Sequence, residues 1–167
     1  HKDIQNLSGI EHCKNLEELG LSHNKISDLS LLKELYLLMD LWLADNEISD
    51  ISPLAELRDL TGLSLKNNKI KDITPLSNFV YLSFLDLSYN MIDDIKALSG
   101  LEELYHLNLN HNKITDISSL ENLSMLYLLS LRDNQINDIS SLSGLKDIEV
   151  LSISDNNLSD INPLSDI

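Results

Sequence analysis

An asparagine recurs every 22 residues along almost the whole chain, and no other feature constrains the fold as much. Around these asparagines the sequence repeats one unit, Leu-x-x-Leu-x-Leu-x-x-Asn-x-Ile-x-Asp-Ile-x-x-Leu-x-x-Leu-x-x, whose seven apolar positions hold Leu, Ile or Phe in all seven copies. Because one such unit is too small to fold alone, the copies must stack to bury a continuous core. The asparagines are Asn24, Asn46, Asn68, Asn90, Asn112, Asn134 and Asn156.

Each copy contains a short stretch in which apolar and polar residues alternate. In Gly62–Lys66 this alternation predicts a strand with Leu63 and Leu65 facing inward. Since each copy returns to the same point after 22 residues, the strands should be parallel and about 4.8 Å apart. Asn68 should then turn the chain, and its side-chain amide should bond the backbone of the bend and of the next coil. A buried asparagine without such partners would be costly.

On the opposite, convex side, three copies carry a capping residue followed by proline, which predicts one turn of 3₁₀ helix. In three of the other copies Ser30, Ser118 and Ser140 take the cap position, and in the fourth Lys96 stands there. Lys96 supplies no cap, so the helical turn is least expected there. The proline pairs are Ser52-Pro53, Thr74-Pro75 and Asn162-Pro163.

An aspartate occupies one position in every copy and forms a second ladder. We expect each carboxylate to accept hydrogen bonds from backbone N–H groups after the turn, and these bonds should outweigh the repulsion between neighbouring charges. A ladder of calcium ions is the alternative, but one carboxylate per copy supplies too few oxygens for calcium. The aspartates are Asp28, Asp50, Asp72, Asp94, Asp116, Asp138 and Asp160.

The unit contains the leucine-rich repeat signature. Segments such as Asn46–Leu54 and Asn68–Leu76 closely resemble the 22-residue repeats of bacterial internalins and related surface proteins of Gram-positive bacteria. The resemblance implies an α/β solenoid with a curved parallel β-sheet on the concave side, short 3₁₀ turns on the convex side, and a concave face that binds a protein, often a host receptor. We interpret residues 1–15 as a partial N-terminal repeat and residues 16–167 as seven repeats of one continuous solenoid domain.

Composition and motifs argue against several classes of function. A net charge of −15 disfavours nucleic acid and anionic membranes as partners, and no apolar run is long enough to insert into a membrane. Cys13 is the only cysteine and takes a leucine position, so we expect a small buried hydrophobe and neither a disulfide nor a zinc site. His23 and His111 share a column but lie four coils apart, which predicts no metal site, cofactor or catalytic dyad.

The outward face of the strands is the remaining candidate site. Trp42, the only tryptophan, and Phe84 are large apolar residues at positions where the repeat predicts exposure, and their strands should be about 10 Å apart. Acidic residues surround them, which favours a basic partner. The residues expected to contact a ligand are Asp40, Trp42, Asp45, Lys66, Phe84, Asp86, Tyr89 and His106.

The sequence therefore predicts a monomeric, non-enzymatic scaffold on the cell surface or outside the cell, which binds a protein ligand such as a host receptor. A carbohydrate or cell-wall binding module, with Trp42 and Tyr89 as stacking platforms, is one alternative. The other is a cytoplasmic regulatory subunit resembling the leucine-rich regulator of protein phosphatase 1. Units of that family tend to lack the Asp-Ile-x-Pro-Leu segment, so the aspartates and prolines favour the bacterial family.

Overall fold

A computed structural model describes residues 3–166 of the chain, and its central feature is one sheet of seven parallel strands. The strands follow one another in chain order, and each residue pairs with the residue 22 positions later, for example Leu41 with Leu63. With the short convex turns, this sheet forms the predicted curved solenoid. The strands are β1 (Glu18–Gly20), β2 (Asp40–Trp42), β3 (Gly62–Ser64), β4 (Phe84–Asp86), β5 (His106–Asn108), β6 (Leu128–Ser130) and β7 (Val150–Ser152).

The core is one continuous cluster of leucine and isoleucine side chains between the sheet and the convex side. Leu63, Leu85 and Leu107, at the centres of β3 to β5, have no solvent exposure, and Phe79 packs into the same cluster from the convex side. Each coil covers the apolar residues of its neighbour, so the core runs from Leu7 to Ile148 without interruption.

The asparagine ladder closes each bend, as predicted. Asn68 donates from Nδ2 to the carbonyl oxygen of Leu65 in its own bend at 3.0 Å. The same Nδ2 donates to the carbonyl oxygen of Leu43 at 3.0 Å, and Oδ1 accepts from the backbone N–H of Ile48 at 3.0 Å. Leu43 and Ile48 belong to the preceding coil, so the expected bond to the next coil is wrong in direction.

A 3₁₀ turn follows every bend, but the aspartate ladder, not the Ser or Thr side chains, satisfies its first N–H group. Asp50 Oδ1 accepts from the backbone N–H of Ser52 at 2.8 Å, and Asp94 Oδ1 accepts from that of Lys96 at 2.9 Å. The expectation of a weak turn at Lys96 is therefore wrong. The 3₁₀ turns are Ile10–His12, Ser30–Leu32, Ser52–Leu54, Thr74–Asn78, Lys96–Leu98, Ser118–Leu120, Ser140–Leu142 and Asn162–Asp166.

Cys13 differs from its prediction, because its side chain is exposed. The coil that carries it is stacked on one side only within the described residues, so the leucine position at Cys13 lacks the cover that Leu35 has one coil later. Residues 1–2 and 167, the outer limits of the predicted repeat array, lie outside the described residues. No helix between residues 3 and 166 is long and apolar enough to cross a membrane.

Candidate functional site

The outward side chains of the strands form two straight rows across the concave face, because the strands pair without any shift in register. The first residue of each strand lies in the first row, so Asp40 neighbours Gly62 and Gly62 neighbours Phe84. The third residue lies in the second row, where Trp42 neighbours Ser64 and Ser64 neighbours Asp86. The exact repeat of the short strands thus places each outward side chain at a fixed position in a regular grid.

An aromatic cluster of Trp42, Phe84 and His106 occupies the middle of this grid. The rings of Trp42 and Phe84 meet edge to face, with centroids 5.6 Å apart and planes at 74°, and Phe84 contacts His106 at 4.6 Å. Strand spacing alone predicts about 10 Å between β2 and β4. The rings meet because Gly62 carries no side chain, and a Cβ built there would lie 3.2 Å from Trp42 Cη2.

A polar neighbour holds Trp42 in place, and burial favours the neutral form of His106. The indole N–H of Trp42 donates to Glu18 Oε1 at 3.0 Å, which fixes the ring over β3. Burial lowers the pKa of His106, and the nearby Asp86 carboxylate opposes this only in part. Burial therefore favours the neutral form of the imidazole, which adds an aromatic surface to the cluster.

The other three candidates form a separate group at the bend side of the face. Tyr89 stacks on His111 of the next coil, with ring centroids 4.1 Å apart and planes at 23°, and Lys66 Nζ of the preceding coil lies 5.7 Å from the Tyr89 centroid. Asp45 accepts a hydrogen bond from Asn67 Nδ2 at 2.6 Å. The eight predicted residues are thus divided into Asp40, Trp42, Phe84, Asp86 and His106 on the strands and Asp45, Lys66 and Tyr89 at the bends.

Two features of the bends were missed at the sequence level. The residue before each ladder asparagine has a positive φ, and Tyr89, at 58°, is the bulky member of a set otherwise made of Asn, Asp and His. The frequent Asn, Asp and His residues at this position could have predicted the positive φ, because these residue types tolerate the left-handed region. Ser88, expected to face outward, is only 1% exposed, and its hydroxyl donates to Asp86 Oδ1 at 2.6 Å.

A second aromatic group on the flank of the sheet was also missed. Tyr105 and Tyr127 immediately precede β5 and β6, and their rings stack in parallel with centroids 4.9 Å apart and planes at 4°. Tyr105 is half exposed, as is Met125. A hydrogen bond to Glu149 raises the pKa of the Tyr127 phenol. The two tyrosines occupy the same position of consecutive repeats, and this spacing could have predicted their contact. The backbone at that position still pairs across the sheet, since the Tyr127 N–H donates to the Tyr105 carbonyl oxygen at 3.0 Å.

The charges on the concave face are unbalanced. Within residues 3–166, no Lys, Arg or His nitrogen lies within 4.0 Å of the carboxylate oxygens of Asp40 or Asp86. Among these residues, no group of three or more His, Cys, Asp or Glu side chains is arranged to hold a metal ion. The arrangement provides an apolar contact surface bordered by two carboxylates, Asp40 and Asp86, that form no ion pair within the described residues.

The comparisons with known proteins agree on the type of repeat. The family model described as "Leucine Rich repeats (2 copies)" matches residues 40–78, 82–122 and 125–166, and a single "Leucine Rich repeat" model matches residues 12–33. A comparison with curated protein sequences found no significant match.

Three solved structures illustrate the similarity. An internalin (inlF) from Listeria monocytogenes is 38% identical, with a TM-score of 0.94 over 98% of this chain and 49% of its own. Internalin C2 (inlC2) from the same species is 36% identical, with a TM-score of 0.94 over 98% of this chain and 73% of its own. A leucine-rich repeat protein of Leptospira interrogans is 26% identical, with a TM-score of 0.87 over 94% and 43%. The chain thus spans about half the length of the first internalin.

Proposed function

Because the chain belongs to the internalin-like leucine-rich repeat proteins, we propose that it binds a protein ligand on the concave face of its sheet. Folds of this family are typically non-enzymatic scaffolds that bind proteins. The observation that carries the proposal is the contact between Trp42, Phe84 and His106 in the middle of the concave face, beside the carboxylates of Asp40 and Asp86. Aromatic residues at the centre of a patch with a charged border are the usual anatomy of a protein-binding hot spot.

The same geometry disfavours carbohydrate as the ligand. Sugar stacking requires a free ring face, and Tyr89 lies between His111 of the following coil and Lys66 of the preceding coil. The indole N–H of Trp42 already bonds to Glu18, so it has no donor left for a hydroxyl group. A protein surface needs neither feature, since it can pack against the half-buried aromatic cluster as a whole.

We also propose where the protein acts and in what form. Internalin-like homologues are surface or secreted bacterial proteins, so we place this chain on or outside a bacterial cell, where a host receptor is an accessible partner. The charge of −15 makes copies of the chain repel one another, which supports a monomer. It also supports a partner with a basic surface.

Affinity capture from host-cell and cell-wall extracts tests the proposal. The bait is compared with its Trp42→Ala and Phe84→Ala variants and with Tyr36→Ala, a matched loss of an aromatic residue that is 56% exposed outside the concave face. We expect a protein that Tyr36→Ala retains and both concave variants lose. With that protein purified, calorimetry should show each concave variant to be weaker by about 2 kcal/mol or more. Equal capture by all four baits would refute the concave site.

A further inference from the structure

We infer that the concave face binds an arginine side chain of its protein partner. The guanidinium would lie against the touching rings of Trp42 and Phe84 and would pair with the carboxylates of Asp40 and Asp86. These four residues are called the concave quartet below. The inference rests on the proposed function and names the chemistry that the partner must present.

The quartet occupies the corners of a rectangle on the grid. Asp40 and Phe84 lie in the first row on β2 and β4, and Trp42 and Asp86 lie in the second row on the same two strands. The aromatic residues thus take one diagonal and the carboxylates take the other. The strand between them, β3, contributes only Gly62 and a serine to the outward face. The side chains of Asp40 and Trp42 lie over this floor of small residues, so Gly62 is buried beneath them.

Gly62 allows a carboxylate and a ring to approach each other above this floor. A Cβ built on Gly62 would lie 3.3 Å from Asp40 Cγ and 3.2 Å from Trp42 Cη2, so these two atoms are at most the sum of the two distances, 6.5 Å, apart. A cation over an aromatic ring is attracted within about 6 Å of its centroid. A single cationic group can therefore interact with the ring of Trp42 and with the carboxylate of Asp40 at the same time.

The chain itself supplies no cation to this position among its described residues. Several carboxylates elsewhere form ion pairs within the chain, as Asp93 does with Lys71 at 3.4 Å and Asp155 does with Arg132 at 2.9 Å. Burial lowers the pKa of His106, the nearest basic residue in the first row, and so favours its neutral form. Asp86 Oδ1 accepts hydrogen bonds from the uncharged N–H and hydroxyl groups of Ser88. Neither Asp40 nor Asp86 forms an ion pair among the described residues, so a cationic group of the partner would complement these carboxylates beside the apolar surface.

Arginine fits the quartet better than lysine does. Its guanidinium is planar and weakly hydrated, stacks on aromatic rings, and forms paired hydrogen bonds with a carboxylate. The lysine ammonium is compact and strongly hydrated, so its transfer onto the rings is less favourable. A second copy of this chain is a poor occupant, because two molecules with a charge of −15 each repel one another.

Trp42 provides its own reporter, because a chain with one tryptophan gives one indole N–H signal in a ¹H–¹⁵N spectrum. We would titrate the protein with N-acetyl-arginine amide and with N-acetyl-citrulline amide, which has nearly the same shape and no charge. We expect a saturable shift of the indole signal with arginine and a shift at least about fivefold smaller with citrulline at equal concentration. Equal shifts with the two probes, or no shift with arginine, would overturn the inference.

Matched variants separate the quartet from the general field of an acidic protein. Asp40→Asn and Asp86→Asn should each weaken the arginine response at least about threefold, whereas Asp147→Asn, which removes an exposed carboxylate from the flank, should leave it unchanged. Gly62→Ala should abolish it without any change in charge, since the methyl group displaces Asp40 and Trp42. The spectrum of each variant reports whether it is folded. An equal loss in Asp147→Asn would contradict the inference.

The capture experiment keeps this inference distinct from the proposed function. If Trp42→Ala loses the protein partner while free arginine leaves the indole signal unmoved, the concave site stands and the arginine inference fails. If arginine binds the quartet while Trp42→Ala and Phe84→Ala retain the partner, the proposed function fails. With the partner in hand, replacing its contacting arginine with glutamine should weaken binding to the wild-type chain far more than to Asp40→Asn.

Discussion

At the scale of single residues, each ladder asparagine forms hydrogen bonds with the backbone of two coils, so a residue that only fills the space cannot replace it. Asn90 Oδ1 accepts from the Ile70 N–H at 3.0 Å, and its Nδ2 donates to the carbonyl oxygens of Leu65 and Leu87 at 3.0 and 3.1 Å. Both coils therefore depend on one side chain that is 9% exposed. A leucine of similar size fills the space but satisfies none of these groups.

We predict that Asn90→Leu lowers the free energy of unfolding by at least about 2 kcal/mol, because the buried Ile70 N–H loses its acceptor. The matched control is Asn122→Leu, at an exposed asparagine outside the ladder, which should change stability by less than about 0.5 kcal/mol. Ser88→Leu is unsuitable as a control, because Ser88 is buried. Chemical denaturation measures both variants, and similar midpoints would contradict the role of the ladder.

Tyr89 shows a conflict between backbone preference and surface chemistry. Its φ of 58° lies in the left-handed region, which is costly for a bulky residue and easier for asparagine. Both Tyr89→Asn and Tyr89→Ala remove the stack on His111, but only asparagine suits the backbone. We predict that Tyr89→Asn is more stable than Tyr89→Ala by about 0.5–1 kcal/mol. Thermal unfolding tests this, and the reverse order would show that the bend relaxes its φ.

At the scale of elements, the aspartates make the convex side sensitive to acid. Hydrogen bonds from the residue two positions later lower the pKa of Asp28, Asp50, Asp72, Asp116 and Asp138 below the ordinary value of 3.8. A carboxyl whose pKa is lower in the folded state contributes stability above its unfolded pKa. That contribution is lost as pH falls through the folded pKa, so the loss should occur below about pH 4.

We predict that the melting temperature changes little between pH 7 and pH 5 through these groups and falls steeply below about pH 4. In Asp72→Asn the amide oxygen still accepts the N–H of Thr74, so stability at pH 7 should be nearly unchanged while the drop in acid becomes smaller. Asp72→Ala should be less stable than Asp72→Asn at pH 7. An unchanged acid profile in Asp72→Asn would assign the sensitivity to other carboxyls.

The sequence predicts backbone positions in this fold better than it predicts where long side chains lie. The strands, the register and both ladders follow from identical residues at identical positions of a stacked unit. The Trp42–Phe84 contact does not, because it depends on an indole that leans across Gly62. The exposure of Cys13 also escapes the repeat, since burial at that position requires a neighbouring coil that the pattern of one unit does not describe.

At the scale of the whole molecule, stability should vary along the array, because every coil is held by its neighbours. Leu85 and Leu107 in the middle have no solvent exposure, whereas Leu151 and Ile153 in the last strand region are partly exposed. Among the described residues, an interior coil packs against two neighbouring coils, and the first and last coils each pack against one. Opening a terminal coil therefore exposes less apolar surface and breaks fewer bonds than opening a central one.

We predict that amide hydrogens in the 167-residue chain exchange fastest in the first and last coils and slowest at residues 60–110, with protection at least about tenfold higher in the centre. Asn90→Leu should lower protection most on both sides of residue 90, because it disconnects two central coils. Hydrogen exchange read by mass spectrometry resolves both effects. Uniform protection that weakens on dilution would instead mean that copies of the chain cover one another's ends. The proposal that the protein is a monomer would then be wrong. If the solenoid behaves as predicted, Phe84 and Asp86 of the concave quartet lie in its most rigid part, and Asp40 and Trp42 lie in the adjoining coil. A partner's side chain would then meet a preorganised site, which reduces the entropy cost of binding.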